Sequence, residues 1–387
     1  MTGAVAAQPA TPYQEFIWLA AMLSPEPAAY HLAGRIDLAG RWDRAALVPA
    51  VCALPASYPM LAADLAGADD GPMWTPLDVA VPVEEAERDD LLTRPFELGA
   101  DCLARMQVVE SGPERATIWL CVHHGAADGA TKQRMLHDLA RALVQPGRGA
   151  PADARDALDA LRAEHLWQRA AAAAAHERPE YSEYLASVTA GAGSPAVPAT
   201  APVEPAGCAG AELRWTGEGR PRFDDLAGRL GAALAEVQER RAVNLLVPFS
   251  VRRPATEARA CNINVLPVAV DRRGLGLAKA IRHVPQERVA GDLAARSVDT
   301  AAGLFYQRVR EPLVIHGAAG QTARIRPFRP PPRLPCPILG YALDDGATLR
   351  LRLLRDPARV PGSTITAVVA AIRRQEPSVS TLSSFPV

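Results

Sequence analysis

The chain has 387 residues, a length that is long for one compact domain and sufficient for two. Hydrophobic residues make up 49% and charged residues 22%, as in ordinary globular proteins. The net charge of −1 excludes an overall field that would recruit nucleic acid or an anionic membrane surface. The 6 cysteines form no CxxC pair, so neither a zinc site nor a disulfide framework is predicted.

The sequence gives no sign of a targeting or membrane segment. The first sixteen residues lack the basic region and the long apolar core of a signal peptide. No apolar run approaches the roughly 18 residues that a membrane-spanning helix requires. We therefore expect a cytoplasmic protein with no membrane and no nucleic acid among its partners.

The first half of the chain is predicted to mix helices and strands. The first helix begins after Thr11, a suitable N-cap, with Pro12 at the first helical position and Glu15 in the first turn. Alternating apolar and polar residues over 30–40 predict a half-buried strand. The other predicted elements are a helix over 43–54, strands over 101–110 and 116–122, a helix over 130–144 and helical segments over 155–189.

A segment rich in Gly, Pro and Ala follows at residues 191–210. It lacks hydrophobic periodicity, and we interpret it as a linker. Beyond it the sequence predicts a helix over 223–240, strands over 243–251, 262–271 and 348–354, and a closing helix over 362–375. The chain is thus predicted to be a mixed α/β protein with two halves, residues 1–190 and residues 211–387.

Two adjacent histidines, His123 and His124, end the predicted strand 116–122 and precede Asp128. Successive side chains of an extended segment point to opposite faces, so one histidine should enter the packing and the other should face a cleft. An exposed imidazole that titrates near neutrality is a suitable general base for an attacking hydroxyl or amine. Gly125 and Gly129 allow tight turns and a close backbone approach.

Three other interpretations of these residues are consistent with the sequence. Both histidines could be ordinary packed side chains at the end of a strand. His123, His124 and Asp128 could bind a metal, although the side chains of adjacent strand residues diverge. His123 and Asp128 also match the HxxxxD pair of glycerolipid acyltransferases, enzymes that are usually associated with membranes.

The segment 123–129, His-His-Gly-Ala-Ala-Asp-Gly, resembles the HHxxxDG signature of an acyltransferase superfamily. That superfamily contains nonribosomal-peptide condensation domains, polyketide-associated acyltransferases, plant-type alcohol acyltransferases and chloramphenicol acetyltransferase. Six flanking segments are similar to segments of condensation domains and occur in the same order along the chain. The resemblance is weakest over residues 145–225. They are PYQEFIWLAAML, YHLAGRIDLAGRWDRAALVPAVCAL, RPFELGADCLARMQVVE, LLVPFSVRRP, CNINVLPVAVD and LRLRLLRDPARVPGSTITAVVAAI.

The resemblance implies a fold of two chloramphenicol-acetyltransferase-like halves, arranged as a V around a central tunnel. His124 would be the general base, His123 and Asp128 would be mainly structural, and Gly129 would leave room near the acyl donor. The donor would be a thioester of coenzyme A or of the phosphopantetheine arm of a carrier protein, and the acceptor a small molecule. No metal and no permanently bound cofactor would be required, and a chain with both halves would be active as a monomer.

The chain also departs from the family pattern. Many relatives carry an arginine that pairs with the motif aspartate, and Ala62 occupies the matching position here. Arg252, in the segment similar to VPxxxR, is the candidate replacement partner of Asp128. The DFGWG motif of plant-type enzymes is absent and the chain is short around the linker. Two alternatives are therefore carried forward: a fold recruited for the cyclisation or rearrangement of a natural product, and a carrier-protein-binding scaffold with a degenerate site.

Overall fold

The protein is represented by a computed structural model. It describes the thirteen segments 7–24, 27–69, 71–77, 81–84, 90–145, 154–190, 210–251, 259–274, 300–309, 313–326, 336–357, 359–375 and 380–382. Within these residues no helix is both long enough and apolar enough to cross a membrane.

Contacts divide the chain into two compact units that interleave along the sequence. Unit 1 comprises Met1–Arg169, Arg252–Asn262 and Glu311–Pro331. Unit 2 comprises Ala170–Val251, Ile263–Arg310 and Pro332–Val387. Two short segments from the later part of the chain thus pack with the earlier part, which the sequence did not indicate.

The described strands of unit 1 form two sheets. The strands are β1 (Gln8–Pro9), β2 (His31–Ala39), β3 (Ala63–Ala66), β4 (Met73–Pro76), β5 (Val83–Glu84), β6 (Ala104–Gly112), β7 (Arg115–His123), β12 (Val314–His316) and β13 (Thr322–Arg326). A six-stranded sheet has the order β12-β13-β2-β7-β6-β5 and is antiparallel except for the pair of β5 and β6. A small antiparallel sheet has the order β1-β4-β3.

The helices of this part of the chain are α1 (Pro12–Leu23), α2 (Leu47–Cys52), α3 (Leu54–Ser57), α4 (Gly129–Val144) and α5 (Ala154–His176), with 3-10 turns at Pro27–Tyr30, Arg44–Ala46 and Pro59–Ala62. Helix α5 belongs to unit 1 up to Arg169, and its last residues belong to unit 2. Helix α4 packs against β2 and β13 because its apolar stripe, which includes Met135, Leu136 and Leu139, joins the core of the unit. The core also contains Ile36 and Trp74.

Unit 2 contains the second large sheet. Its described strands are β8 (Gly210–Thr216), β9 (Ala242–Ser250), β10 (Ile263–Asp271), β11 (Ala302–Arg308), β14 (Ile338–Asp344), β15 (Thr348–Arg355) and β16 (Ser380–Leu382), in the order β10-β9-β11-β14-β15-β8-β16. Strand β11 is parallel to both of its neighbours, whereas the other pairs are antiparallel. The helices are α6 (Pro179–Ala190), α7 (Phe223–Val237) and α8 (Gly362–Gln375). Leu230, Leu245 and Val368 lie in its core.

The helix predicted over 43–54 is broken in the structure. A 3-10 turn and α2 occupy 44–52, and α3 begins at Leu54. Pro55 lies in the first turn of α3 and has no N–H to continue a preceding helix, so the chain starts a new helix there.

The predicted halves and the observed units are not the same. Helix α6 falls within the predicted first half, yet its side chains Tyr181, Tyr184 and Val188 pack in the core of unit 2. Residues 191–209 of the predicted linker lie outside the described residues. The linker, and a boundary between folding domains at that point, therefore stay predictions.

Candidate active site

The two motif histidines lie where β7 ends and the chain turns into α4. His123 is the last residue of β7 and is paired in register with His31 of β2. The backbone amide of His124 donates to the carbonyl of Tyr30 at 2.8 Å, and the amide of Ala126 donates to the carbonyl of His123 at 2.9 Å. The ladder of strands and a tight turn therefore fix the backbone of both histidines.

His123 points into the protein interior. Its residue is only 2% exposed, and its ring contacts the rings of His31 and Phe96 edge to face. Nδ1 accepts a hydrogen bond from the amide of Gly125 at 3.2 Å. Burial, reinforced by the neighbouring His31 and His124, lowers the pKa of His123 to about 3. His123 is therefore a neutral packed side chain near neutral pH.

His124 is partly exposed, in contrast to its neighbour. Its Nδ1 lies 3.8 Å from Sγ of Cys261, and the ring of Tyr13 meets its ring edge to face at a centroid distance of 5.8 Å. Burial of the imidazole lowers the pKa of His124, backbone hydrogen bonding and Asp128 oppose this shift, and Lys132 adds to it. A histidine in these surroundings is neutral at pH 7 and able to accept a proton.

Asp128 caps the helix that follows the motif. Its Oδ1 accepts from the amide of Thr131 at 2.6 Å, which is the N-cap hydrogen bond of α4. Its Oδ2 accepts from the amide of Asn262 at 3.0 Å. The carboxylate thus bonds two backbone amides, one in its own helix and one in a segment far along the chain.

The positions of the other residues that the sequence analysis singled out are as follows. Arg252, the predicted charged partner of Asp128, lies outside the described residues. Ala62 is buried in a 3-10 turn, and its carbonyl accepts from the amide of Leu77. Gly129 is the first residue of α4, and a side chain added there would meet no described atom within 4 Å. The role of Gly129 in leaving room for an acyl donor stays a prediction.

Several residues that contact the motif are not indicated by any pattern in the sequence. Cys261 and Asn262 reach the site from a segment that follows the linker by some fifty residues. Gln14 of α1 donates from its side chain to the carbonyl of Gly125 at 2.7 Å. Lys132, in the first turn of α4, is buried and donates to the carbonyl of Ala33 at 3.0 Å. The pairing of Thr11 and Gln14 in a capping box was readable from their spacing, but the contact of Gln14 with the motif was not.

Gly125 lies in a closely packed part of the motif turn. A Cβ at this position would lie 3.1 Å from Nδ1 of His123 and 3.1 Å from the side chain of Leu65.

Among the described residues, no cluster of three or more His, Cys, Asp and Glu side chains has a geometry suited to a metal ion.

The chain is similar in structure to several solved proteins, but its sequence matches no known family or curated protein. No protein-family model and no curated protein matches the chain. The starter condensation domain of the rhizomide synthetase RzmA, solved as its R148A mutant in complex with C8-CoA, is similar with a TM-score of 0.70 and 17% identity, over 95% of this chain and 94% of that one. The first condensation domain of the calcium-dependent antibiotic synthetase, in complex with a substrate analogue, is similar with a TM-score of 0.67 and 17% identity, over 96% of both chains.

A third similar structure is the X-domain from teicoplanin biosynthesis, solved in complex with OxyB. Its TM-score is 0.67 and its identity 18%, over 98% of this chain and 95% of that chain. At such identities the likeness establishes the fold and not the chemistry. The chain has the mixed α/β fold of condensation domains.

Proposed function

We propose that the protein is an acyltransferase that moves an acyl group from a coenzyme A or carrier-protein thioester to a hydroxyl or amine acceptor, in the biosynthesis of a specialised metabolite. The observation that carries this proposal is His124, a partly exposed residue at the end of a strand, the pKa of whose imidazole is lowered by burial. A protein of the same fold in complex with C8-CoA supports an acyl thioester as donor.

The proposed reaction uses His124 as the general base. The imidazole takes the proton of the acceptor O–H or N–H while the acceptor oxygen or nitrogen attacks the thioester carbonyl. The tetrahedral intermediate then collapses, the C–S bond breaks, and the proton passes from His124 to the departing sulfur. The products are an ester or an amide and the free thiol of coenzyme A or of the carrier arm.

The supporting residues have separate proposed roles. His123 packs behind the strand end, and Asp128 fixes the start of α4 through its two amide bonds. Gly129 leaves space for the donor beside that helix start. Arg252 remains the proposed charged partner of Asp128. We also propose a V-shaped arrangement of two chloramphenicol-acetyltransferase-like halves around a tunnel, no permanently bound cofactor or metal, and a cytoplasmic location.

Panels of acyl-coenzyme A and acyl-carrier-protein thioesters, incubated with amine and alcohol acceptors, test the proposal through release of free thiol. His124→Ala should lower kcat by about 10²–10⁴-fold, the usual contribution of a general base. Its thermal melting point should stay close to that of the wild type, because His124 is a partly exposed residue. His316→Ala removes an exposed histidine of the same unit and should leave the rate unchanged.

Near-wild-type turnover in a folded His124→Ala variant would reject the base assignment. Two alternatives predict other results. An enzyme recruited for cyclisation or rearrangement would convert one natural-product substrate without releasing thiol. A binding scaffold would turn over no substrate and would hold its partner equally well with His124→Ala. The complex of the X-domain with OxyB, which is similar in fold, supports a protein-binding role as this alternative.

A further inference from the structure

The segment that precedes β10 returns to the start of α4 and is fastened there on both sides of Cys261. The hydroxyl of Thr131 donates to the carbonyl of Ala260 at 2.7 Å. The amide of Asn262 donates to Oδ2 of Asp128 at 3.0 Å. Both neighbours of Cys261 are thus tied to the first turn of α4 or to its N-cap, which leaves the backbone of Cys261 little freedom.

A second attachment lies just upstream. Arg259 forms an ion pair with Asp138, 3.4 Å between Nη1 and Oδ2, and its guanidinium lies over the ring of Tyr58 at 5.2 Å. The hydroxyl of Tyr58 donates to the same carboxylate oxygen at 2.6 Å. Asp138 belongs to α4, so contacts along this helix hold the segment from Arg259 to Asn262 as one piece.

The fastened segment brings one side chain to the histidine. Sγ of Cys261 lies 3.8 Å from Nδ1 of His124, within hydrogen-bond reach for sulfur. The ring of Tyr13 meets the same imidazole edge to face. The imidazole thus contacts the thiol at Nδ1 and an aromatic ring, in addition to its hydrogen bonding with the backbone of His124 and Ala127.

The burial of the thiol distinguishes between two roles. Cys261 is 0% exposed, whereas His124 is partly exposed. A nucleophile that forms an acyl-enzyme must reach the thioester carbonyl, and a fully buried sulfur is not accessible to it. A buried thiol in contact with one ring nitrogen can instead restrict the rotation of the ring and hold the opposite nitrogen in place.

We propose that Cys261 is a positioning residue for His124: its thiol occupies the Nδ1 side of the imidazole and holds the ring so that Nε2 faces the substrates. This inference rests on the proposed function for its kinetic consequence. Its structural consequence, a ring whose orientation and Nδ1 environment depend on the thiol, is independent of the reaction. The proton of the acceptor would then pass to Nε2.

The test compares three variants, Cys261→Ala, Cys261→Ser and Cys336→Ala. Cys336 is the matched control, because it is also a buried cysteine and its thiol donates to the carbonyl of Ile338 instead. Cys261→Ala should lower kcat by roughly tenfold with KM unchanged, because a misdirected base slows the chemical step more than binding. Cys261→Ser restores a polar group at the position and should recover most of the lost kcat. Cys336→Ala should change neither constant.

A second readout does not depend on activity. In protein labelled with ¹⁵N at histidine, the Nδ1 resonance of His124, assigned by its loss in His124→Ala, should shift in Cys261→Ala and stay in place in Cys336→Ala. Unchanged resonances and unchanged kcat in a folded Cys261→Ala variant would overturn the positioning role. So would acylation of Cys261 by the donor, detected by mass spectrometry of the intact protein, since that result would make the thiol a nucleophile. An absence of acyl transfer in the wild type would reject the proposed function, and the resonance shift would still decide the role of Cys261.

Discussion

Lys132 is a charged side chain placed almost wholly inside unit 1, one turn after Asp128. It is 4% exposed, and its ammonium donates to the carbonyl of Ala33. Burial lowers the pKa of Lys132 from 10.5 to about 8, because the charged form loses its hydration. The charged ammonium of Lys132 therefore lowers the free energy of unfolding around neutral pH.

We predict that Lys132→Met stabilises the protein at pH 7, by about 3 kcal/mol at most, the energy that corresponds to such a pKa shift. The gain should shrink as the pH rises from 8 to 10.5. The folded-state pKa is depressed, so over this range the unfolded chain binds more protons than the folded one and the wild type becomes more stable. Urea unfolding of both proteins across this range measures the change.

Arg141→Met is the control for Lys132→Met, since it removes one positive charge from the last turn of the same helix. Its effect on the free energy of unfolding should not vary over this pH range. A stability difference between Lys132→Met and the wild type that stays constant from pH 8 to 10.5 would contradict the prediction.

At the scale of elements, α1 is attached to the motif turn by one side chain. Gln14 is fully buried; its oxygen accepts from the amide of Thr11 at 2.9 Å and its nitrogen donates to the carbonyl of Gly125 at 2.7 Å. The same side chain therefore closes the capping box of α1 and holds the turn between His124 and Asp128. Loss of either bond leaves a buried backbone group without that partner.

Gln14→Met keeps the shape of the side chain and removes both hydrogen bonds. We expect it to lower the free energy of unfolding by about 2–6 kcal/mol, since each of the two buried groups that lose their partner costs about 1–3 kcal/mol. Chemical denaturation measures this loss. Glu15→Ala, one residue further on the exposed side of α1, should change stability by less than about 1 kcal/mol. Equal effects of the two substitutions would show that Gln14 does not anchor the turn.

At the scale of the whole molecule, the residues that contact the candidate base belong to one compact unit. His124 contacts Tyr13, Tyr30 and Cys261, and Asp128 contacts Asn262, all within unit 1. The resemblance further implies that a chain with both halves forms a complete site without a neighbouring copy. We therefore predict that the protein is active as a monomer.

Sedimentation together with an activity series over a range of protein concentrations tests this prediction. Specific activity should stay constant on dilution, and any dimer that sediments at high concentration should dissociate without loss of rate. If specific activity falls in step with dissociation, a neighbouring chain contributes to the site and the monomer prediction is wrong.

The sequence by itself determined the elements whose signals are local. Helix α1 begins after Thr11 with the expected cap, α8 covers the predicted 362–375, and the strand, turn and helix around the motif lie where periodicity placed them. Hydrophobic period, caps and turn residues act over one or two turns of chain, so one sequence suffices to read them. The buried His123 and the partly exposed His124 follow from the same alternation.

Only the tertiary structure decided which distant segments meet. Strand β13, from the later part of the chain, pairs with β2. The segment from Arg259 to Asn262 is hydrogen-bonded to the start of α4. The local pattern of the sequence did not predict strands β8, β11 and β14. The pairing of β13 with β2 and the contact of Cys261 with His124 depend on hydrogen bonds and packing between residues more than a hundred positions apart. Such contacts leave no periodic trace in the sequence of either partner, so the candidate base could be read from the motif, whereas the thiol beside it could not.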